Sequence, residues 1–194
     1  MNYILLNITP NEKYLVAEEL AGSFLTEIGL NLGDLSPVSI SSADLLDCKY
    51  MNPLIPSSSD HPIVAGNFVT AESGTGLVHS APGHGVEDYN LLSKLDILPF
   101  APVDDEGKFS DAVLPESLRG LAVLYEGNQA VVDLLNASNA LVHQHIYEHK
   151  YPYDWRTKQP VIIRATEQWF ANVECIKEEA ICAIEQTKMI PETS

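Results

Sequence analysis

The 194 residues suffice for one sizeable domain, and 45% apolar with 20% charged content is the balance of a globular, soluble protein. No run of about 18 apolar residues occurs, which argues against a membrane-spanning helix. The net charge of −16 repels polyanions at long range, which argues against unaided tight binding to nucleic acid, and a nucleic-acid substrate would have to be presented by something else.

The N-terminal MNYILLNITPNEKY lacks a basic leader region and a cleavage site, so it does not read as a signal peptide. It predicts a strand over Tyr3 to Ile8, turning through Thr9-Pro10-Asn11 into a second short strand. Ala17 to Ile28 predicts a helix with Leu20, Phe24 and Ile28 on one stripe, stopped by Gly29. Short apolar runs follow, Val38-Ser39-Ile40, Ile63-Val64-Ala65 and Phe68-Val69-Thr70, broken by Pro, Gly and a Ser57-Ser58-Ser59 loop. A helix is expected after Gly85 to about Leu95, and another from Asn128, as its N-cap, to Ala137. Leu141 to His149 and Val161 to Ala165 predict strands, and Glu174 to Thr187 a helix with Ile176, Ala180 and Ile184 spaced for burial. The class is α+β, with a mostly antiparallel sheet of the barrel or sandwich kind rather than alternating βαβ units. Cys48, Cys175 and Cys182 form no CxxC pair, which favours a reducing compartment, the cytoplasm above all.

The densest stretch is GTGLVHSAPGHGVEDY, Gly74 to Tyr89, with four glycines, two histidines and two acids. Gly74-Thr75-Gly76 and Gly83-His84-Gly85 both lack the third glycine of a dinucleotide fingerprint, and no P-loop lysine follows. The glycines instead let backbone groups approach a ligand closely, with Pro82 fixing the turn. At 100° per residue, Asp88 shares a face with Leu91, Leu92 and Leu95, whereas Glu87 lies with Asn90 and Lys94. Glu87 is then a solvated first-turn acid. Asp88 is a carboxylate held in an apolar stripe, suited either to recognising an ammonium group or to an internal cap or ion pair. His79, expected to end a Leu77-Val78 strand, is a structural or a site histidine, and His84 reads as a loop residue held by backbone hydrogen bonds.

His143, His145 and His149 alternate onto one expected strand face, but no third ligand type with familiar spacing is evident, so an exposed polar face is the reading. Lys150, Arg156, Lys158 and Arg164, interleaved with Tyr151, Tyr153 and Trp155, form the one candidate RNA-contact strip, with local packing of Trp155 and Arg156 as the rival. Ser80 follows His79 without the GxSxG elbow of a serine nucleophile.

GTGLVHSAPGHGVEDY resembles the signature of the editing domain inserted into isoleucyl-tRNA synthetases. EKYLVAEEL (Glu12 to Leu20), PVDDEGKF (Pro102 to Phe109), HKYPYDWRTKQP (His149 to Pro160) and RATEQWF (Arg164 to Phe170) agree in order, so the resemblance covers nearly the whole chain. It implies a distorted, mostly antiparallel β-barrel with peripheral helices. Residues 1–170 would form the editing domain, and 171–194 a helical segment leading back toward the synthetic domain. It also implies hydrolysis, by a positioned water and without cofactor or metal, of valine esterified to the 3′ end of isoleucine tRNA. Post-transfer editing is the main reading, with pre-transfer editing also open.

The tRNA would be presented by the rest of a cytoplasmic or organellar parent enzyme, with the domain itself monomeric and no membrane involved. Asp88 would hold the substrate ammonium and His79 would line the amino-acid pocket. Gly74, Thr75, Gly76, Ser80, Ala81, Pro82, Gly83, His84 and Gly85 would supply the binding surface. One methylene discriminates by only about 1–3 kcal/mol, a limit usually illustrated with this very enzyme family, so a second, smaller site must destroy the wrong product. The family's threonine-rich TTTPWT strand is expected just before Met1, and HIGH and KMSKS signatures are absent. The rival expectation is therefore a catalytically incomplete binding or structural fragment. Asp154 stands where the family's YPxCWR segment commonly has cysteine.

Overall fold

The computed structural model describes residues 1–31, 33, 35–55, 61–113 and 115–190; the Ser57-Ser58-Ser59 loop lies outside them. The chain opens with the expected hairpin, β1 (Tyr3–Thr9) against β2 (Glu12–Ala17), and β3 (Val38–Ile40) joins the other edge of β1. Both pairings are antiparallel, with Ile4 opposite Val16 and Leu6 opposite Tyr14 in the hairpin, and Ile4 opposite Ser39 across the second edge. Alternation along β1 sends Ile4 and Leu6 to one face. A 3-10 turn at Glu18–Leu20 leads into α1 (Ala21–Glu27), which covers that face with Ala21, Phe24 and Leu25. The Tyr14 and Phe24 rings meet edge to face at 5.6 Å. Gly29, at φ +76°, ends the helix where a side chain would be strained.

The middle of the chain is held by short elements. β4 (Lys49–Tyr50) and β5 (His61–Pro62) make a two-residue antiparallel pair, after a single helical turn, α2 (Ser42–Leu45), capped by Ser41. α3 (Val86–Leu92) continues as a 3-10 turn to Leu95, as expected from the periodicity. Residues 102–113 and 115–122 fold on themselves, with Val103 bridged to Phe109, Lys108 bridged to Ala122, and Val103, Val113 and Leu118 buried. The Asp104 side chain accepts the Glu106 and Lys108 backbone N–H groups, each at 2.9 Å, and these bonds hold its carboxyl below the ordinary aspartate range. α4 (Glu126–Ala137) follows, and α5 (Lys177–Glu185) is preceded by a 3-10 turn at Glu174–Ile176.

Several expectations are corrected. Among the described residues no closed barrel forms; the sheets have three and two strands. Residues 63–65, 68–70, 141–149 and 161–165 are not strands. Val69 N–H donates to the Gly66 carbonyl, so a turn stands where the sheet would continue. α4 starts at Glu126, not at Asn128, and its N-cap position, Tyr125, makes no side-chain cap bond. Ile176 and Ile184, spaced for burial, are 53% and 60% exposed, and Trp169 and Phe170 are also fully in solvent. None of the described helices is long and apolar enough to cross a membrane.

Candidate functional site

The open end of the β1–β2 hairpin seats the first glycines of the Gly74–Tyr89 stretch. The Ala17 N–H donates to the Thr75 carbonyl at 2.8 Å, and the Tyr3 hydroxyl donates to the Gly76 carbonyl at 3.0 Å. Gly74 and Gly76 both have positive φ, and a Cβ on Gly76 would lie 2.5 Å from the Ala17 Cβ. Gly76 is thus glycine twice over, for its backbone and for its contact. Thr75 Oγ1 bonds locally to the Leu77 backbone. Leu77 and Val78 carry no regular secondary structure, so the expected strand is absent, and both side chains are exposed.

His79 follows, also exposed, with its Nδ1 3.3 Å from the Tyr50 hydroxyl and the two rings at 82°. The Tyr50 ring also meets His61, tilted at 35° with centroids 5.2 Å apart. Burial raises the Tyr50 phenol above its ordinary value, so the proton stays on it through neutral pH. Tyr50 lies 29 residues upstream in a stretch without motif character, and nothing in the sequence signals this partnership.

From Ala81 the backbone turns tightly into α3. The His84 and Gly85 N–H groups both donate to the Ala81 carbonyl, at 2.9 and 3.0 Å. Asp88, three positions into the helix after its N-cap Gly85, reaches back past the cap, and its Oδ2 accepts the Ala81 N–H at 3.0 Å. Asp88 is half-buried and Glu87 exposed, the division that helical geometry predicts. The Asp88 Oδ1 has no hydrogen-bond partner among the described residues. A Cβ on Gly85 would sit 2.6 Å from Asp88 Oδ2, so glycine at the cap is what admits the carboxylate.

Gly83 is constrained by backbone instead: an added Cβ would lie 2.1 Å from the Phe100 carbonyl oxygen. Its own carbonyl accepts the Ala165 N–H at 2.7 Å. Beside it, His84 Nδ1 lies 2.9 Å from the Ile163 carbonyl; a carbonyl only accepts, so Nδ1 carries the proton. His84 is therefore the backbone-held loop residue expected. Ser80 and Pro82 are half-buried spacers between the histidine and the turn.

The stretch thus has two separately supported ends, His79 on Tyr50 and Asp88 on Ala81. Two hollows elsewhere include neither residue. One, of about 590 Å³, lies between the β4–β5 pair and the end of α3, lined by Lys49, His61, Ile63, Leu95 and Ile97 among others. The other, of about 350 Å³, lies beside the acidic turn at Asp104 to Glu106. Both are open and shallow, so the geometry around Asp88 weighs more than these volumes.

The basic strip is partly consumed locally. The Arg156 guanidinium lies 4.7 Å over the Trp155 ring, and Arg164 donates to the Val103 carbonyl at 2.9 Å and pairs with Asp105. Asp154 closes the intervening turn: its Oδ2 accepts the Thr157 N–H at 2.6 Å and the Thr157 hydroxyl at 2.7 Å. Those bonds hold its carboxyl below the ordinary aspartate pKa range and give this aspartate a local role.

No protein-family model matches the chain. The isoleucine--tRNA ligase of Gloeobacter violaceus is 51% identical over 182 residues, 91% of this chain. That of Nostoc punctiforme is 45% identical over 197 residues, 98% of this chain. The chloroplastic/mitochondrial isoleucine--tRNA ligase of Arabidopsis thaliana is 47% identical over 178 residues, 91% of this chain. The chain spans only 20%, 18% and 16% of the Nostoc, Gloeobacter and Arabidopsis proteins respectively. At these identities over nearly its whole length, the chain is homologous to a segment, about one fifth in extent, of the isoleucine--tRNA ligases.

Proposed function

We propose that the chain is the editing domain of an isoleucyl-tRNA synthetase, hydrolysing valine from mischarged isoleucine tRNA after transfer. The observation that carries this is Asp88: a half-buried carboxylate with one oxygen pinned to Ala81 and the other unpartnered, within the stretch that resembles the family's editing signature. A fixed carboxylate beside tight backbone suits an α-ammonium, because the pinned oxygen removes the side-chain freedom that binding would otherwise cost.

In this reading Oδ1 of Asp88 receives the ammonium of the valyl group and aims its ester along the Ser80–Pro82 backbone. Water attacks the ester carbonyl carbon, the bond to the ribose oxygen breaks, and that oxygen leaves with a proton as the tRNA hydroxyl. Valine departs as its carboxylate, and the second proton of the water passes to solvent. His79, steadied by Tyr50, narrows the pocket against isoleucine. The reaction uses no metal or cofactor. Residues 1–170 form the editing unit, 171–194 lead toward the synthetic domain, and the isolated unit is a monomer. The parent enzyme presents the tRNA, which the net charge of −16 requires. The cell compartment is the cytoplasm or an organelle, in line with the names of the relatives.

The second reading, an incomplete binding fragment, draws on the two hollows, neither of which is lined by Asp88 or His79. Titration with a non-hydrolysable valyl-adenosine analogue separates the two. The editing reading expects saturable binding with valyl favoured over isoleucyl. Absence of binding at millimolar analogue supports the incomplete fragment.

A further inference from the structure

Away from the Gly74–Tyr89 stretch, Glu27, His143 and His145 bring one ligand atom each to within 4.8 Å of one another. Glu27 is the last residue of α1, and the two histidines come from the run after α4, which has no regular secondary structure. The His143 and His145 rings lie 5.7 Å apart at 36°. The third ligand that the histidine spacing lacks comes from 116 positions upstream (143 − 27), where no sequence pattern would show it. His149, the alternating partner expected from sequence, is elsewhere: it stacks on Tyr147 at 5.5 Å, with Nδ1 3.3 Å from the Tyr147 carbonyl.

The three groups do not satisfy one another. His143 Nε2 and Glu27 Oε2 are 4.0 Å apart, too far for a hydrogen bond. Among the described residues, His145 has only its ring contact with His143. A tetrahedral zinc with ligands at about 2.0–2.1 Å sets ligand atoms roughly 3.3 Å from each other. Closing the trio therefore needs movements of about 1 Å. All three side chains are exposed, so those are unhindered side-chain rotations. Two imidazoles and one carboxylate are a donor set that prefers zinc-type ions to magnesium or calcium, and the negative charge of the whole chain concentrates cations around it.

The geometry points to a divalent-metal site formed by Glu27, His143 and His145, taking Zn²⁺ with water in the remaining position. Its role is structural: the ion clips the irregular run after α4 onto the hairpin–helix module through the end of α1. It is independent of the editing reading.

The test titrates Zn²⁺ alone into the full 194-residue chain at neutral pH, following heat and the imidazole NMR signals. The expected result is one saturable equivalent, with shifts at His143 and His145 and slower amide exchange around 143–145. Glu27→Gln, His143→Ala and His145→Ala should each abolish that equivalent, while His149→Ala leaves it intact. Circular dichroism of each variant confirms that the fold is kept, which is expected because all three residues are exposed. Binding that persists in His143→Ala and His145→Ala overturns the site, as does the absence of saturable binding. Loss in His149→Ala with retention in Glu27→Gln overturns the ligand assignment.

Discussion

The two ends of the Gly74–Tyr89 stretch are held in opposite ways. The Asp88 end closes on itself: carboxylate, Ala81 N–H and Gly85 cap lie within eight consecutive residues. The His79 end rests on Tyr50, from a two-residue strand whose partner begins at His61. A locally closed end is set by short-range sterics and survives changes elsewhere. An end held at long range depends on the packing of another element. In the proposed chemistry Asp88 would accordingly be the anchor and His79 an adjustable wall.

Substitutions at the glycines attack the first end most severely. Gly83→Ala drives a Cβ into the Phe100 carbonyl, an obstruction that no side-chain rotation relieves. It should cost about 2 kcal/mol or more, seen as a lowered denaturant midpoint, with activity falling in step. Gly85→Ala meets only the Asp88 carboxylate, which can swing away. Stability should then change by only about 1 kcal/mol, while valyl-analogue binding is lost. A Gly85→Ala protein that binds the analogue normally would erase the distinction between the ends.

Tyr50→Phe probes the other end. Removing the hydroxyl frees His79 at a cost of about 1 kcal/mol. The expected change is a several-fold loss of valine-over-isoleucine selectivity with ammonium binding retained. A complete loss of hydrolysis in Tyr50→Phe would mean that His79 does more than shape the pocket.

The smallest effect is on stability in acid. Asp104 and Asp154 have folded-state acidities strengthened by backbone hydrogen bonds. A carboxyl with a depressed folded value adds stability above its unfolded value, about pH 4, and loses it as pH falls through the folded value. Asp154→Asn should therefore flatten the loss of stability below about pH 4 slightly, because both groups are exposed. An unchanged acid limb would show that the Thr157 bonds contribute nothing in solution.

What could be read from the sequence follows the same division. The β1–β2 hairpin, α1 and α3 depend on alternation, helical periodicity and a terminating glycine, all of which act within a few residues. Glu87 and Asp88 were separable because 100° per residue is a local rule. The expected barrel does not form among the described residues: the runs 63–65, 141–149 and 161–165 have local strand character but no pairing partners, and short propensities cannot specify distant partners. The contacts of His79 with Tyr50, of Gly83 with Phe100 and of Glu27 with His143 are long-range for the same reason. The glycines were legible as necessary, but what fills the space beside them, Ala17, Phe100 and Asp88, was not.

The most direct test separates the two jobs of Asp88. Holding Ala81 needs only an acceptor, which Asn supplies, whereas holding an ammonium needs the charge. An isoleucyl-tRNA synthetase carrying this segment is compared with its Asp88→Asn variant for hydrolysis of valyl-tRNA(Ile), with the melting midpoint measured alongside. The account predicts an unchanged midpoint and at least about a tenfold loss of hydrolysis, the equivalent of roughly 1.4 kcal/mol of lost binding in the transition state. Hydrolysis at the unsubstituted rate, with the fold intact, would contradict it.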